Sequence, residues 1–244
     1  MLFINKNKHQ NNDANLINDG KTHVFNLIVL DESGSMSVIE QQARSGCNEV
    51  LSGIRQAQTE HPDIIQTISL LPFNTGDMKY IYENTPIGET KDITSEYSPN
   101  GCTALYDAMG YALTRLEKET DKYADALGLV TIITDGEENS SREYSGKMIF
   151  DLVERLKKKG WTFAFMGANQ DVMKVAQSLN IKNAREFEYT AEGTAATFAM
   201  ENKARSRFWS RLDRMRKETA DMSVEERQEC YAANESATDY YKDL

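Results

Sequence analysis

Apolar runs and segments with helical periodicity alternate along most of this chain. The stretches 22–31, 64–73, 127–136 and 161–168 are rich in β-branched and other apolar residues without a helical period, which predicts buried strands. The segments 38–58, 102–120, 145–160 and 170–180 place apolar residues three and four positions apart, which predicts helices. The short segment 79–84 is predicted as a partner strand and 184–190 as an edge strand.

This alternation predicts an α/β fold with a doubly wound, mostly parallel sheet and helices on both faces. We divide the chain into a polar N-terminal segment (1–20), one α/β domain (21–192) and a C-terminal helical extension (193–244). In sheets of this kind ligands bind at the carboxyl ends of the strands, which directs attention to the residues that follow them.

Composition narrows the classes of function. Acidic residues number 38 against 28 basic residues, a net charge of −10, which disfavours nucleic-acid binding by the general surface and favours cationic partners. The three cysteines (Cys47, Cys102 and Cys230) form neither a disulfide framework nor a paired metal motif, which favours a reducing compartment. With no leader-like segment and no apolar run of about 20 residues, we expect a cytoplasmic protein without membrane association.

Oxygen-bearing side chains follow two of the predicted central strands. Asp31 ends the first strand in NLIVLDESGSM, and Ser33 and Ser35 follow at alternate positions. Asp135 closes the strand at 127–136, and Thr103 opens the helix at 102–120. All five side chains are hard oxygen donors, which select Mg²⁺, Mn²⁺ or Ca²⁺. Two carboxylates balance one divalent cation, and the neutral hydroxyls leave that cation able to accept another anionic oxygen.

Three stretches carry a family resemblance: DESGS at 31–35, GCTALYDA at 101–108 and ITDGEEN at 133–139. In order, spacing and context they resemble the metal-binding loops of the von Willebrand factor type A family, over roughly residues 22 to 190. The resemblance, closest to stand-alone bacterial or phage members, implies a three-layer Rossmann-like sheet carrying a metal-ion-dependent adhesion site.

The same resemblance implies roles for the five residues. Ser33, Ser35 and Thr103 would contact the metal directly, whereas Asp31 and Asp135 would often act through water. It also implies a binding module and not an enzyme, in which an Asp or Glu of a protein partner supplies the last metal ligand.

Each motif also has a simpler interpretation. Residues 31–35 could form an ordinary turn, Thr103 could only cap its helix, and the pair 135–136 is a common turn dipeptide. Their occurrence together at converging strand ends favours the metal site. Glu137 and Glu138 are interpreted as solvated loop charges, with tuning of the site's acidity or repulsion of acidic ligands as the alternative.

The alternative function is enzymatic, a magnesium-dependent hydrolase or phosphatase of the haloacid-dehalogenase type with Asp31 as nucleophile. That chemistry needs a second acid two positions later, where this chain has Ser33. Because a serine cannot supply a proton near neutral pH as a carboxylic acid can, the sequence disfavours this alternative.

The C-terminal extension is strongly patterned in charge. Residues 203–217 contain seven basic residues and one acid, whereas 218–244 contain eight acids and two basic residues. We favour a surface helix packed on the domain by its aromatic residues, with arginines solvated or paired with the acidic tail. The alternative is a basic surface for nucleic acid, an anionic membrane or an acidic partner.

Overall fold

Six strands form one sheet in the order β3-β2-β1-β4-β5-β6 within the part of the chain that the structure describes. The structure is a computed structural model, which describes residues 16–76, 78–136, 138–168, 170–237 and 240–242. The strands are β1 (Thr22–Asp31), β2 (Ile64–Phe73), β3 (Tyr82–Pro86), β4 (Ala126–Thr134), β5 (Thr162–Gly167) and β6 (Asn183–Glu186). Neighbours are parallel except β3, which is antiparallel to β2.

Helices connect and cover these strands. They are α1 (Glu40–Glu60), α2 (Leu105–Thr120), α3 (Gly146–Lys158), α4 (Gln170–Ser178), α5 (Ala191–Glu218) and α6 (Val224–Ala237). Two short 3₁₀ helices, Gly34–Ile39 and Ile87–Glu89, precede α1 and follow β3. None of the helices in these described ranges combines the length and the apolar character that crossing a bilayer requires.

The sheet separates two apolar clusters. On one face, residues of α1 and α5 pack against the sheet; on the other face, residues of α2 and α3 do so, together with the end of α4. Strands β1 and β4 are buried along their whole length, which explains their unbroken apolar runs. The predicted α/β class, a three-layer Rossmann-like sheet that is mostly parallel, is confirmed.

Helix α5 belongs to the core and is not only a surface helix. Phe198, Phe208 and Trp209 are buried as its aromatic pattern predicted. The expectation that its arginines are solvated or paired with the tail is wrong for Arg205, which is fully buried and forms an ion pair with the buried Glu201 of the same helix at 2.9 Å. A buried charge of this kind requires a partner, and the sequence pattern alone did not reveal the pair.

The Arg205 guanidinium also bridges two strands. Its Nη1 donates to Asn26 Oδ1 on β1 at 2.8 Å, and its Nη2 donates to Thr131 Oγ1 on β4 at 2.7 Å. Glu201 accepts hydrogen bonds from the hydroxyls of Tyr240 and Tyr241, which attaches the end of the chain to the same network. The network therefore connects α5 and residues 240–241 to the two central strands β1 and β4.

Most boundaries assigned from sequence lie within three residues of those observed, but β6 ends at Glu186, four residues before the end predicted for the edge strand at 184–190. Strand β3 begins three residues later than predicted, at Tyr82, and its pairing with β2 is irregular between Ile68 and Leu70. Residues 1–15 of the predicted N-terminal segment lie outside the described residues. The division of the chain at 21 and 193 stays a prediction.

Candidate metal centre

Three loops meet at the carboxyl edge of the sheet. Asp31 is the last residue of β1, and Asp135 directly follows β4, which is the parallel neighbour of β1. The loop before α2 joins them through main-chain hydrogen bonds: Gly34 N donates to Gly101 O at 3.1 Å, and Asn100 N donates to Glu32 O at 2.7 Å. Strand topology therefore brings the Asp31 and Asp135 motifs together, and these hydrogen bonds attach the Thr103 loop to the Asp31 motif.

Hydrogen bonds connect four of the five predicted residues. Asp31 Oδ1 accepts from Ser33 N at 2.7 Å, so the ordinary turn considered above is also present. Ser33 Oγ and Ser35 Oγ lie 3.1 Å apart, and Ser35 Oγ donates to Asp135 Oδ1 at 2.9 Å. Carboxylates and hydroxyls from residues 100 positions apart thus form one continuous cluster.

Thr103, the fifth residue, lies opposite Gly136. A methyl group added at Gly136 would lie 3.0 Å from Thr103 Oγ1 and 4.0 Å from Asp31 Oδ2. Because Gly136 has no Cβ, a space remains beside it that is bordered by the Thr103 hydroxyl and an Asp31 carboxylate oxygen. A small cation with oxygen ligands fits the chemistry of this space, whereas a residue with a Cβ would partly fill it.

Burial opposes the charge of the Asp31 carboxylate. It is fully buried, and burial, with a smaller contribution from nearby Asp135, raises its pKa from 3.8 to about 6. Hydrogen bonds from Thr134 and Ser33 act in the opposite direction. A cation beside Asp31 would favour its ionised form and offset the cost of burying it. Among the described residues, no group of three His, Cys, Asp or Glu side chains could hold a metal, so such a site depends on hydroxyl ligands.

Thr134 and Tyr97 support Asp31 and were missed from the sequence. Thr134 Oγ1 donates to Asp31 Oδ2 at 2.5 Å, and the buried Tyr97 donates its hydroxyl hydrogen to Asp31 O at 2.8 Å. Thr134 directly precedes Asp135 in the ITDGEEN stretch, and that position is the only sequence signal for its role. Tyr97 lies in a loop without periodicity, so no pattern pointed to it.

Two interpretations of the loops need correction. Thr103 does not cap α2, because the N-cap position is Ala104, which makes no side-chain capping bond. Glu138 is not a solvated charge: its Oε2 accepts from Tyr106 N at 3.0 Å in the first turn of α2, and its Oε1 accepts from Ser140 N at 2.9 Å and Ser141 N at 2.7 Å. A carboxylate at a helix N-terminus is favourable, and this one ties the Asp135 loop to α2. Glu137 lies outside the described residues.

No protein-family model matches the chain, and no curated protein sequence matches it significantly. Solved structures do share its fold. The PilB minor pilin from Streptococcus sanguinis matches with a TM-score of 0.54 at 14% identity, over 76% of this chain and 61% of that one. A von Willebrand factor type A protein from Catenulispora acidiphila matches with a TM-score of 0.50 at 14% identity, over 74% of this chain and 42% of that one. The SpRpn10 VWA domain matches with a TM-score of 0.51 at 10% identity, over 72% of this chain and 94% of that domain.

The fold is von Willebrand factor A-like. At these identities the likeness is one of fold alone, and this chain spans about three fifths of the length of the minor pilin. The resemblance read from three short motifs and the likeness of the whole sheet nevertheless point to the same fold from independent observations. Function has to be argued from the site itself.

Proposed function

We propose that this protein is a divalent-cation-dependent binding module for another protein. The observation that carries the proposal is the hydrogen-bonded cluster of Asp31, Ser33, Ser35 and Asp135. Thr103 adds its hydroxyl at Gly136, where the Asp31 carboxylate also lies. The cation would be Mg²⁺, with Mn²⁺ or Ca²⁺ as substitutes, because all the donors are hard oxygens.

The five residues would divide the work between them. Ser33, Ser35 and Thr103 would hold the cation through neutral hydroxyls, while Asp31 and Asp135 would balance its charge and orient ligands or water. Since three of the five donors are neutral, the bound cation keeps an affinity for an additional anionic oxygen. An Asp or Glu side chain of a partner protein has the right charge and reach to supply it.

The phosphatase alternative has less support. A nucleophilic Asp31 would need a carboxylate oxygen that a substrate can reach. Instead Asp31 is fully buried, with Ser33 N bonded to one oxygen and the Thr134 hydroxyl bonded to the other. Ser33 stands where that mechanism places its general acid. The fold likeness to a pilin and to VWA domains is consistent with binding, and the cytoplasmic location stays a prediction.

The proposal is tested first with the cation alone. Isothermal titration of Mg²⁺ into the wild type, Thr103→Val and Thr114→Val compares loss of the candidate ligand with loss of a matched hydroxyl. Thr114 Oγ1 donates to Gly110 O, so Thr114→Val loses a hydrogen bond inside α2, the helix that follows Thr103. We expect Thr103→Val to weaken Mg²⁺ binding at least about tenfold, as loss of a direct ligand should, and Thr114→Val to leave it unchanged.

The second step is capture of partners on the immobilised protein. Wild type and Asp31→Ala are compared with Mg²⁺ and with EDTA. Proteins retained only by wild type in Mg²⁺ would support cation-dependent recognition. Equal capture in all four samples, or equal Mg²⁺ affinity in both threonine variants, would refute the proposed function.

A further inference from the structure

Tyr189 lies over the outer side of the candidate metal centre and has no role in the function proposed so far. It belongs to the turn between β6 and α5, and 36% of its surface is exposed. Its hydroxyl donates a hydrogen bond to the Ser35 carbonyl oxygen and lies within hydrogen-bonding reach of the Asp135 carboxylate. Ser35 is the last residue of the DESGS stretch, and Asp135 accepts a hydrogen bond from the Ser35 side chain.

The turn that carries Tyr189 is firmly built. Phe187, two residues earlier, is buried, and its N donates to Gly167 O at 2.9 Å. On the other side Thr190 caps α5, with its hydroxyl accepting from Gly193 N at 3.0 Å. An added Cβ at Gly193 would lie only 2.6 Å from Glu188 O, so this turn is close-packed as well as capped. Tyr189 therefore reaches the site from a fixed position and not from a loose loop.

The Tyr189 hydroxyl acts as a hydrogen-bond donor at this site, with Ser35 O as its acceptor. Burial and the neighbouring Asp135 and Asp31 carboxylates raise the Tyr189 pKa, so it keeps its proton at neutral pH. Ser35, whose carbonyl oxygen accepts this bond, is the exposed member of the cluster.

We propose that Tyr189 closes the outer side of the metal centre and competes with the incoming carboxylate of a partner. The inference rests on the proposed function, since it concerns access to that same site. A carboxylate ligand has to displace a hydroxyl that is held by a single hydrogen bond in a half-exposed position. A bond of this strength lowers apparent ligand affinity roughly three- to tenfold.

The test uses Mn²⁺ as the cation and acetate as a minimal carboxylate. Bound Mn²⁺ speeds the relaxation of water protons, and acetate that replaces bound water lowers this effect. The acetate concentration for half effect is measured for the wild type, Tyr189→Phe and Tyr82→Phe at constant ionic strength. Tyr82 is the matched control, because its hydroxyl also donates to a main-chain carbonyl, that of Lys91 at 2.8 Å, beside the antiparallel edge strand.

We expect Tyr189→Phe to need roughly three- to tenfold less acetate than the wild type, and Tyr82→Phe to behave as the wild type. If Mn²⁺ binds the wild type but Tyr189→Phe needs as much acetate for half effect as the wild type, or more, the role of Tyr189 is refuted. The proposed binding function stands in that case. If the wild type shows no Mn²⁺ binding at all, the proposed function fails, and the role of Tyr189 fails with it.

Discussion

The buried Asp31 carboxylate should make the cation-free protein less stable as pH rises. Its pKa in the folded protein is about 6, above the ordinary value of 3.8 that applies to the unfolded chain. The folded protein therefore binds this proton more tightly than the unfolded chain does. The stability gained in this way is fully present below about pH 4 and is lost as pH rises through 6. The difference between 3.8 and about 6 corresponds to about 3 kcal/mol.

Asp31→Asn removes this dependence while keeping the shape of the side chain. The amide oxygen can still accept from Ser33 N, and the Thr134 hydroxyl can turn its proton to Gly136 O at 3.1 Å and accept from the amide nitrogen. In EDTA the variant should unfold at nearly the same urea concentration as the wild type near pH 4. At pH 7.5 it should be more stable than the wild type by about 2–3 kcal/mol, an order-of-magnitude value.

Urea unfolding followed by tryptophan fluorescence measures this difference, because Trp161 and Trp209 are both buried. Asp151→Asn is the control, because it makes the same substitution at an exposed carboxylate on α3 and leaves Asp31 in place. Adding Mg²⁺ should stabilise the wild type, by about 2.7 kcal/mol at a hundred times the dissociation constant, and leave Asp31→Asn nearly unchanged. A variant that is less stable than the wild type at pH 7.5 in EDTA, or equal stabilisation of both proteins by Mg²⁺, would refute the reasoning.

Two further predictions concern the space beside Gly136 and the buried network of Arg205 and Glu201. Gly136→Ala places a methyl 3.0 Å from Thr103 Oγ1 and should weaken Mg²⁺ binding at least about tenfold in a calorimetric titration; unchanged affinity would place the cation elsewhere. Arg205→Met leaves the buried Glu201 without its ion-pair partner and should cost about 3–5 kcal/mol in urea unfolding. Adding Glu201→Gln to that variant should restore part of the loss, and a double variant less stable than Arg205→Met would contradict this account of the pair.

The sheet and the five clustered residues were predictable because each depends on a local signal. Buried parallel strands are continuous apolar runs, and the polar residues that end them stand out sharply in the sequence. Asp31 and Asp135 were placed together because both follow central strands of a parallel sheet. Ser33 and Ser35 needed only the spacing of a short turn. Their close approach also depends on strand order, because β1 and β4 are neighbours and the carboxyl ends of distant strands share an edge without meeting.

The residues that were missed make contacts over long sequence separations. Glu138 reaches Tyr106 N across 32 positions, and the Tyr189 hydroxyl meets Ser35 O across 154. Glu138 lies in a loop and Tyr189 in a turn, and neither has a sequence pattern from which its partner could be predicted. Solvent exposure was therefore the natural expectation for Glu138, and three-dimensional proximity overturned it.

The buried network around Arg205 shows how a basic pattern can mislead in a different way. Seven basic residues between 203 and 217 point to an electrostatic surface, yet Arg205 spans β1 and β4 through Asn26 and Thr131. These are the two strands whose ends carry Asp31 and Asp135. Because main-chain pairing already fixes those strands to each other, what the guanidinium adds is the attachment of α5 to them. Since α5 is one continuous helix from Ala191 to Glu218, that attachment also sets the position of its first turn and of Tyr189 just before it. The buried ion pair in the middle of the helix thus helps to set the position of Tyr189 beside the candidate metal centre.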